Sequence, residues 1–410
     1  MRSTDHSASS VSMSFLGRSV MSIRRNQVAS MDDPNHNGSG AGGQADLALF
    51  QKNLTDRLLS LHGDDDSGGG GEALLTLPWL RKLLDAFLSS VEEFKEAVSP
   101  SIHHDRAISE FLDRAIKALD VCNAVSDAVD SVRLLHRQAE IAVSVLDRTV
   151  LLEGQFVRAR RAISRLFLSM APDDRDGSRG AERNWSFGRS RVAATSSQER
   201  RSGGHYLRSV SSGVGRTWSA GKHVQTMSAN LYAPRGGITA VDAAAYAMSS
   251  FMVFVVWALV AAFFPSQDRG PVSLACPPRH LSWSGPLIGL QEKITDEWRK
   301  REKKGSSAGQ ASSLGLLVEV QRLEKCARGL VSLDRDRTDE IGAFVDELSE
   351  ACGGLDEGLL PLQGQVRVVF HRIVWCRKEL LDCLNHVHRS AAASSSLASA
   401  TSTTVHSPGL

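Results

Sequence analysis

Aromatic side chains are scarce. They make up 6% of the 410 residues and include only 3 Tyr. That disfavours an aromatic-rich β-sandwich and suits helices packed with Leu, Val and Ala. An excess of one charge is also missing. A formal net charge of +2 argues against the whole chain being a nucleic-acid binder. The 6 Cys are Cys122, Cys276, Cys326, Cys352, Cys376 and Cys383, and no two form a Cys-x-x-Cys pair. Their scatter suits a reducing cytosolic compartment. No secretory signal is expected, because Arg18, Arg24 and Arg25 break any apolar core near the N-terminus. Residue 2 is Arg, which excludes N-myristoylation, and the closing Ser-Pro-Gly-Leu is neither a prenylation box nor an ER-retention signal.

Catalytic signatures are missing too. There is no Walker loop, dinucleotide fingerprint, kinase set, nucleophile elbow or zincin helix. Gly38 to Gly43 is glycine-rich but has no preceding strand and no following Lys, so it reads as a flexible linker. His371, Cys376, Cys383, His386 and His388 crowd one segment. Zinc ligands usually lie closer together on a turn, so small buried thiols and exposed tail histidines are the stronger reading. Glu92, Glu93 and Glu96 fall on the polar side of a helix and read as solvated charges. No catalytic residue, metal ligand, cofactor or small-molecule substrate is expected.

What the chain does have is one uncharged apolar run, Ala243 to Phe264, containing Phe251, Phe254 and Trp257. A membrane-spanning helix needs roughly 20 such residues. Against a span stand much Ala, two Ser and no flanking basic clamp. Both flanking regions also look cytosolic, and a single span would separate them. Membrane association is modestly favoured over a buried core helix. The expected location is therefore the cytosol or the cytoplasmic face of membranes, with a single-pass protein as the membrane alternative.

The rest reads as helices. Leu47, Phe50, Leu54, Leu58 and Leu61 recur at helical spacing. Pro78 opens a helix carrying Leu80, Leu83, Leu84, Phe87, Leu88, Val91 and Phe94. A long stripe runs through Ile108, Phe111, Leu112, Ala115, Ile116, Leu119, Cys122, Val125, Val129, Val132 and Leu135. A further helix from 156 to 170 has a basic face of Arg158, Arg160, Arg161 and Arg165. Later stripes are Leu287, Leu290, Ile294 and Trp298; then Leu317, Val320, Leu323, Ala327 and Leu330. A short helix, Ile341 to Leu348, ends at Gly353-Gly354. A last helix from Leu359 to His388 carries Leu362, Val366, Val369, Phe370, Ile373, Leu380, Leu381 and Leu384.

The expected fold is all-α: helical bundle blocks joined by a disordered basic linker and one strongly apolar helix. The divisions are a disordered 1–42 with an apolar and basic island at 14–28, a helical block at 43–171, an Arg/Ser-rich linker at 172–238, the apolar helix at 239–265, a second helical block at 266–390 and a disordered tail at 391–410. The island with Arg24 and Arg25 suits an amphipathic helix on a membrane or partner, or equally a strip docked on the chain's own core. From Arg175 to Lys222 the local excess is about +7 by charge patterning. This linker holds Trp185, Phe187, Arg189 and Trp218 as candidate partner or lipid contacts. Ser190, Ser202 and Ser211 follow closely after Arg and are candidate phosphosites whose modification would neutralise the linker stepwise. A plain solvated connector is the more frequent outcome for such a segment. RNA binding is the weaker reading, since no RNP motif is present.

Several ordered segments resemble a plant-specific family, the BYPASS-related proteins, and within it the ROH branch. They are residues 14–28, Arg114 to Val125, Asn184 to Ser190, Gly215 to Gln225, the Trp257-Ala-Leu-Val-Ala-Ala stretch, Gln267 to Gly270, Pro278 to His280 and Val369 to Val374. Their order across nearly the whole chain makes the match specific. The resemblance implies a non-enzymatic, largely helical plant protein. ROH members are thought to bind exocyst subunits and influence polarised secretion. BYPASS members look like regulators of a mobile root-to-shoot signal. The resemblance implies an exocyst subunit as partner; the basic segments add an anionic membrane surface, and no nucleic acid is expected. The family brings no catalytic residues to carry over.

Overall fold

The computed structural model describes residues 38–63, 73–102, 106–146, 153–170, 220–233, 239–265, 272–308, 315–332 and 338–401. The chain divides into residues 1–38 and 39–410. All but Gly38 of the first unit lies outside the described residues, as does most of the linker. The second unit is all-α among the described residues.

Its helices are α1 (Gly38–Ser60), α2 (Leu77–Val98), α3 (Arg106–Leu146), α4 (Glu153–Met170), α5 (helical residues 220–229), α6 (Ala240–Phe263), α7 (Ser284–Ala308), α8 (Val318–Ser332) and α9 (Thr338–Thr401). Local chemistry fixes several starts. At α2 the Thr76 hydroxyl accepts from the Trp79 N–H at 3.3 Å, and Pro78 occupies the first turn, where its missing N–H has no partner to lose. At α6 a capping box joins Thr239 and Asp242: the Asp242 N–H donates to the Thr239 hydroxyl at 3.0 Å and the Asp242 carboxylate accepts from the Thr239 N–H at 3.3 Å.

The long helices α3 and α9 form the spine and run antiparallel. Gln363 donates to Asp130 at 3.0 Å and Arg377 donates to the Leu112 carbonyl at 3.4 Å. Over one half of the spine, α2 and α6 each pack on α3 or α9, giving the ring α2–α9–α3–α6. Over the other half the ring is α3–α4–α8–α9. Helices from both sequence blocks therefore share one apolar core, from Leu47 to Leu380. Burying an apolar stripe on each helix is what stabilises such an arrangement, at about 25 cal/mol per Å² removed from water.

Two departures from the sequence reading have physical causes. Gly353-Gly354 lies inside α9 rather than ending a helix. A mid-helix Gly costs about 1 kcal/mol, but the flanking Ala351, Cys352, Leu355 and Leu359 are buried, and their packing outweighs that cost. Pro361 also lies within α9; it is exposed, as is Glu357, so water can satisfy the carbonyl that loses its N–H partner. Glu92 and Glu93 are half-buried rather than solvated. Glu93 takes a two-pronged grip from Arg57 of α1 and a bond from Asn53 at 3.2 Å, while Glu92 pairs with Arg372 of α9 and with Lys95 at 2.6 Å. Burial opposes the Glu93 charge, but the Arg57 and Asn53 bonds outweigh it and hold that carboxyl below its usual range. α9 itself continues helical through 391–401, a stretch expected to be a disordered tail.

Candidate functional surfaces

The apolar run forms α6, the described helix long and apolar enough to cross a membrane. Its side chains meet protein on all sides. Phe251, Phe254, Trp257 and Phe264 are buried and Ala243 is half-buried. Phe251 tilts against Phe87 of α2 at 5.9 Å, and Tyr246 against Trp283 at 5.7 Å. The Ser250 hydroxyl donates within the helix to the Tyr246 carbonyl at 2.8 Å, but other polar groups are met from outside it. The Trp257 indole N–H donates to the Val272 carbonyl at 2.9 Å. Arg114 of α3, only 5% exposed, reaches Ser249 at 3.4 Å, Glu110 at 3.2 Å and the Asn230 carbonyl. The last turn of any helix leaves carbonyls unmatched. Here the Leu316 N–H donates to Ala261 at 2.8 Å and the Leu317 N–H to Ala262 at 3.0 Å. Arg301 holds that strap by donating to the Gly315 carbonyl.

A second surface lies on α9, on the side away from the core. Trp375 is 60% exposed and Leu360 67% exposed, with Val368 and Val374 also open to solvent. The Lys378 ammonium rests 5.7 Å from the Trp375 ring centre. The α3–α9 register puts Ile116 level with Val374. Ile116, expected in the core stripe, is instead 43% exposed. Sequence reasoning passed over Trp375 because the buried stripe Leu362, Val366, Val369, Ile373 and Leu380 accounted for the helical period alone.

Comparison with known proteins decides the kinship. The family description "Protein ROH1-like" matches residues 5–384. The chain belongs to the ROH1-like family. It is 37% identical to Protein ROH1A of Arabidopsis thaliana, an alignment covering 92% of this chain and 97% of that protein. It is 35% identical to Protein ROH1D of the same plant, covering 91% and 97%. No solved structure matches. None of these descriptions names an enzymatic activity.

Arg24, Arg25, Trp185, Phe187, Arg189, Ser190, Ser202, Ser211 and Trp218 all lie outside the described residues. Cys376 is buried, and burial pushes its thiol up to about 12. Burial likewise raises Cys122 and Cys352 to about 12, and Cys326 to about 11, keeping these thiols protonated and unreactive at neutral pH. His371, His386 and His388 are exposed. Among the described residues no group of three His, Cys, Asp or Glu is placed to hold a metal.

Glu319 is a group that sequence reasoning missed. It begins α8, yet one carboxylate oxygen accepts the Leu77 N–H of α2 at 2.9 Å. The other oxygen is buried without a partner, and burial raises the carboxyl above its usual range. The Val318 N–H donates to the Leu75 carbonyl at 3.2 Å beside it. Only the full fold could bring residues 242 apart in sequence to this joint.

Proposed function

We propose that this chain is a non-enzymatic adaptor that binds an exocyst subunit and modulates exocytosis or polarised secretion. The observation carrying the reading is the ROH1-like match over residues 5–384, which spans both halves of the bundle. An all-helical body that uses its interior for packing and offers helix faces outward suits protein contact better than turnover of a small molecule. In this reading α6 is the central helix of a soluble body recruited to membranes from outside. A buried guanidinium against Ser249 and protein-capped terminal carbonyls favour that role, since both would be costly facing lipid. The basic segments around Arg24 and Arg25 and from Arg175 to Lys222 would add attraction to anionic membranes, tuned by phosphate on Ser190, Ser202 or Ser211.

Two experiments test this. Full-length tagged chain should co-purify with an exocyst subunit when the purified components are mixed; failure across all subunits of that complex refutes the adaptor role. Carbonate washing of cell membranes should release the chain into the supernatant, whereas retention in the pellet would mean that α6 is inserted.

A further inference from the structure

We infer that the exposed face of α9 between Leu360 and Lys378 is a membrane-contact surface that lies on an anionic bilayer. At 3.6 residues per turn, Leu360, Val368, Val374 and Trp375 fall in one sector of about 120°. Arg367, His371 and Lys378 fall in that same sector. Over this sector all seven residues are open to solvent. The strip is about 27 Å long at 1.5 Å per residue. Asp356 and Glu357 bound it at one end and Asp382 at the other. Between those ends the charged side chains of this sector are Arg367 and Lys378, and neither has an ion pair among the described residues. Their helical neighbours differ: Arg372 pairs with Glu92, and Glu379 pairs with Lys95 at 3.0 Å.

Three features favour a lipid surface over a protein helix. The apolar side chains Leu360, Val368, Val374 and Trp375 are 41–67% exposed, whereas a groove that seats a helix encloses its lining. The largest of the four is a Trp, whose amphipathic ring suits the headgroup boundary. Unpaired cations flank it, which complements anionic headgroups. The same cations disfavour a second copy of the chain, because facing α9 strips would bring like charges together. The inference does not depend on exocyst binding.

The test is flotation of the purified full-length chain with phosphatidylcholine vesicles, with and without 30% phosphatidylserine as the chosen probe (about one lipid in three, enough to give a strong surface potential). The wild type is expected to float only with the anionic vesicles, and less so in high salt. Arg367→Glu with Lys378→Glu should weaken binding about ten-fold or more, and Trp375→Ser should weaken it several-fold. The matching reversal on α4, Arg158→Glu with Arg161→Glu, should leave it within about two-fold. All these side chains are exposed, so far-UV circular dichroism and the unfolding midpoint should be unchanged. No flotation of the wild type overturns the proposal. So does flotation that the α9 substitutions do not alter, which would assign binding to the other basic segments. A dimer in light scattering that the α9 substitutions dissociate would overturn it in favour of self-association.

Discussion

Replacing Gly315 by Ala tests the strap that closes the end of α6. A Cβ at that position would lie 2.5 Å from the carbonyl carbon of Ala262 and 2.7 Å from that of Phe263, and closer still to the Ala262 oxygen. Ordinary carbon contacts are about 3.5–4.0 Å. The obstructing atoms are backbone, so no rotamer change relieves them, and the strap must retreat by about 1 Å to restore normal contact. That retreat breaks the Leu316–Ala261 and Leu317–Ala262 bonds of 2.8 and 3.0 Å and loosens Arg301 from the Gly315 carbonyl. Two or three hydrogen bonds at about 1 kcal/mol each, with about 1–3 kcal/mol of overpacking, give a loss of about 3–6 kcal/mol. Reduced freedom of the unfolded chain returns about 0.4–1 kcal/mol. The net expectation is destabilisation of about 2–5 kcal/mol by these terms. Urea unfolding followed by circular dichroism reads the shift in midpoint, and hydrogen exchange reads the Leu316 and Leu317 amides directly. A change under about 0.5 kcal/mol, a surface-like value, with both amides still protected, would refute the account of how α6 is held.

Gly358→Ala should cost about 1–3 kcal/mol by overpacking, because its Cβ would fall 2.6 Å from Leu77 Cδ1 and 2.9 Å from Leu77 Cβ at the α2–α9 contact; calorimetry on the full chain checks it. Arg114→Met should destabilise by about 1–3 kcal/mol through the unmatched Asn230 carbonyl and Ser249 hydroxyl, and an unchanged denaturation midpoint would contradict that. For Glu319 the sign follows from its raised folded pKa. Its favourable contribution is complete below the unfolded carboxyl pKa of about 4.3 and is lost as pH rises through the folded value. Glu319→Gln keeps an acceptor for the Leu77 N–H, so the variant should gain on the wild type between pH 4 and neutrality; a pH-independent difference in melting temperature would exclude this.

Much of the architecture was legible because local signals and tertiary packing agree. Thr76 and Pro78 mark the start of α2, and the stripes of α2, α3 and α8 are buried nearly as their spacing requires. Where the two conflict, packing wins. Gly353-Gly354 carries a stop signal that the buried residues around it override; Ile116, by contrast, lies far round α3 from the buried Phe111, Ala118 and Cys122 at about 100° per residue and so faces outward. The pairing of α6 with α2 and α3, the strap at Gly315 and the Glu319 joint depend on contacts between residues far apart in the chain. No periodicity within one segment encodes those. The family resemblance came from residues scattered along the chain; of these, Arg114 and Trp257 prove to be the side chains that anchor α6.

The place of α9 at the end of the bundle sets the order in which the protein can be completed. It is the last described helix to leave the ribosome, yet it is a wall of both rings and touches α2, α3 and α8. At about 5–20 residues per second, the roughly 300 residues from the end of α2 to the end of α9 take about 15–60 s to synthesise. For that interval the apolar stripes of α2 and α3 wait without their partner. The nascent chain must be shielded from aggregation over that time, and a message truncated before Thr338 yields helices with no ring to join.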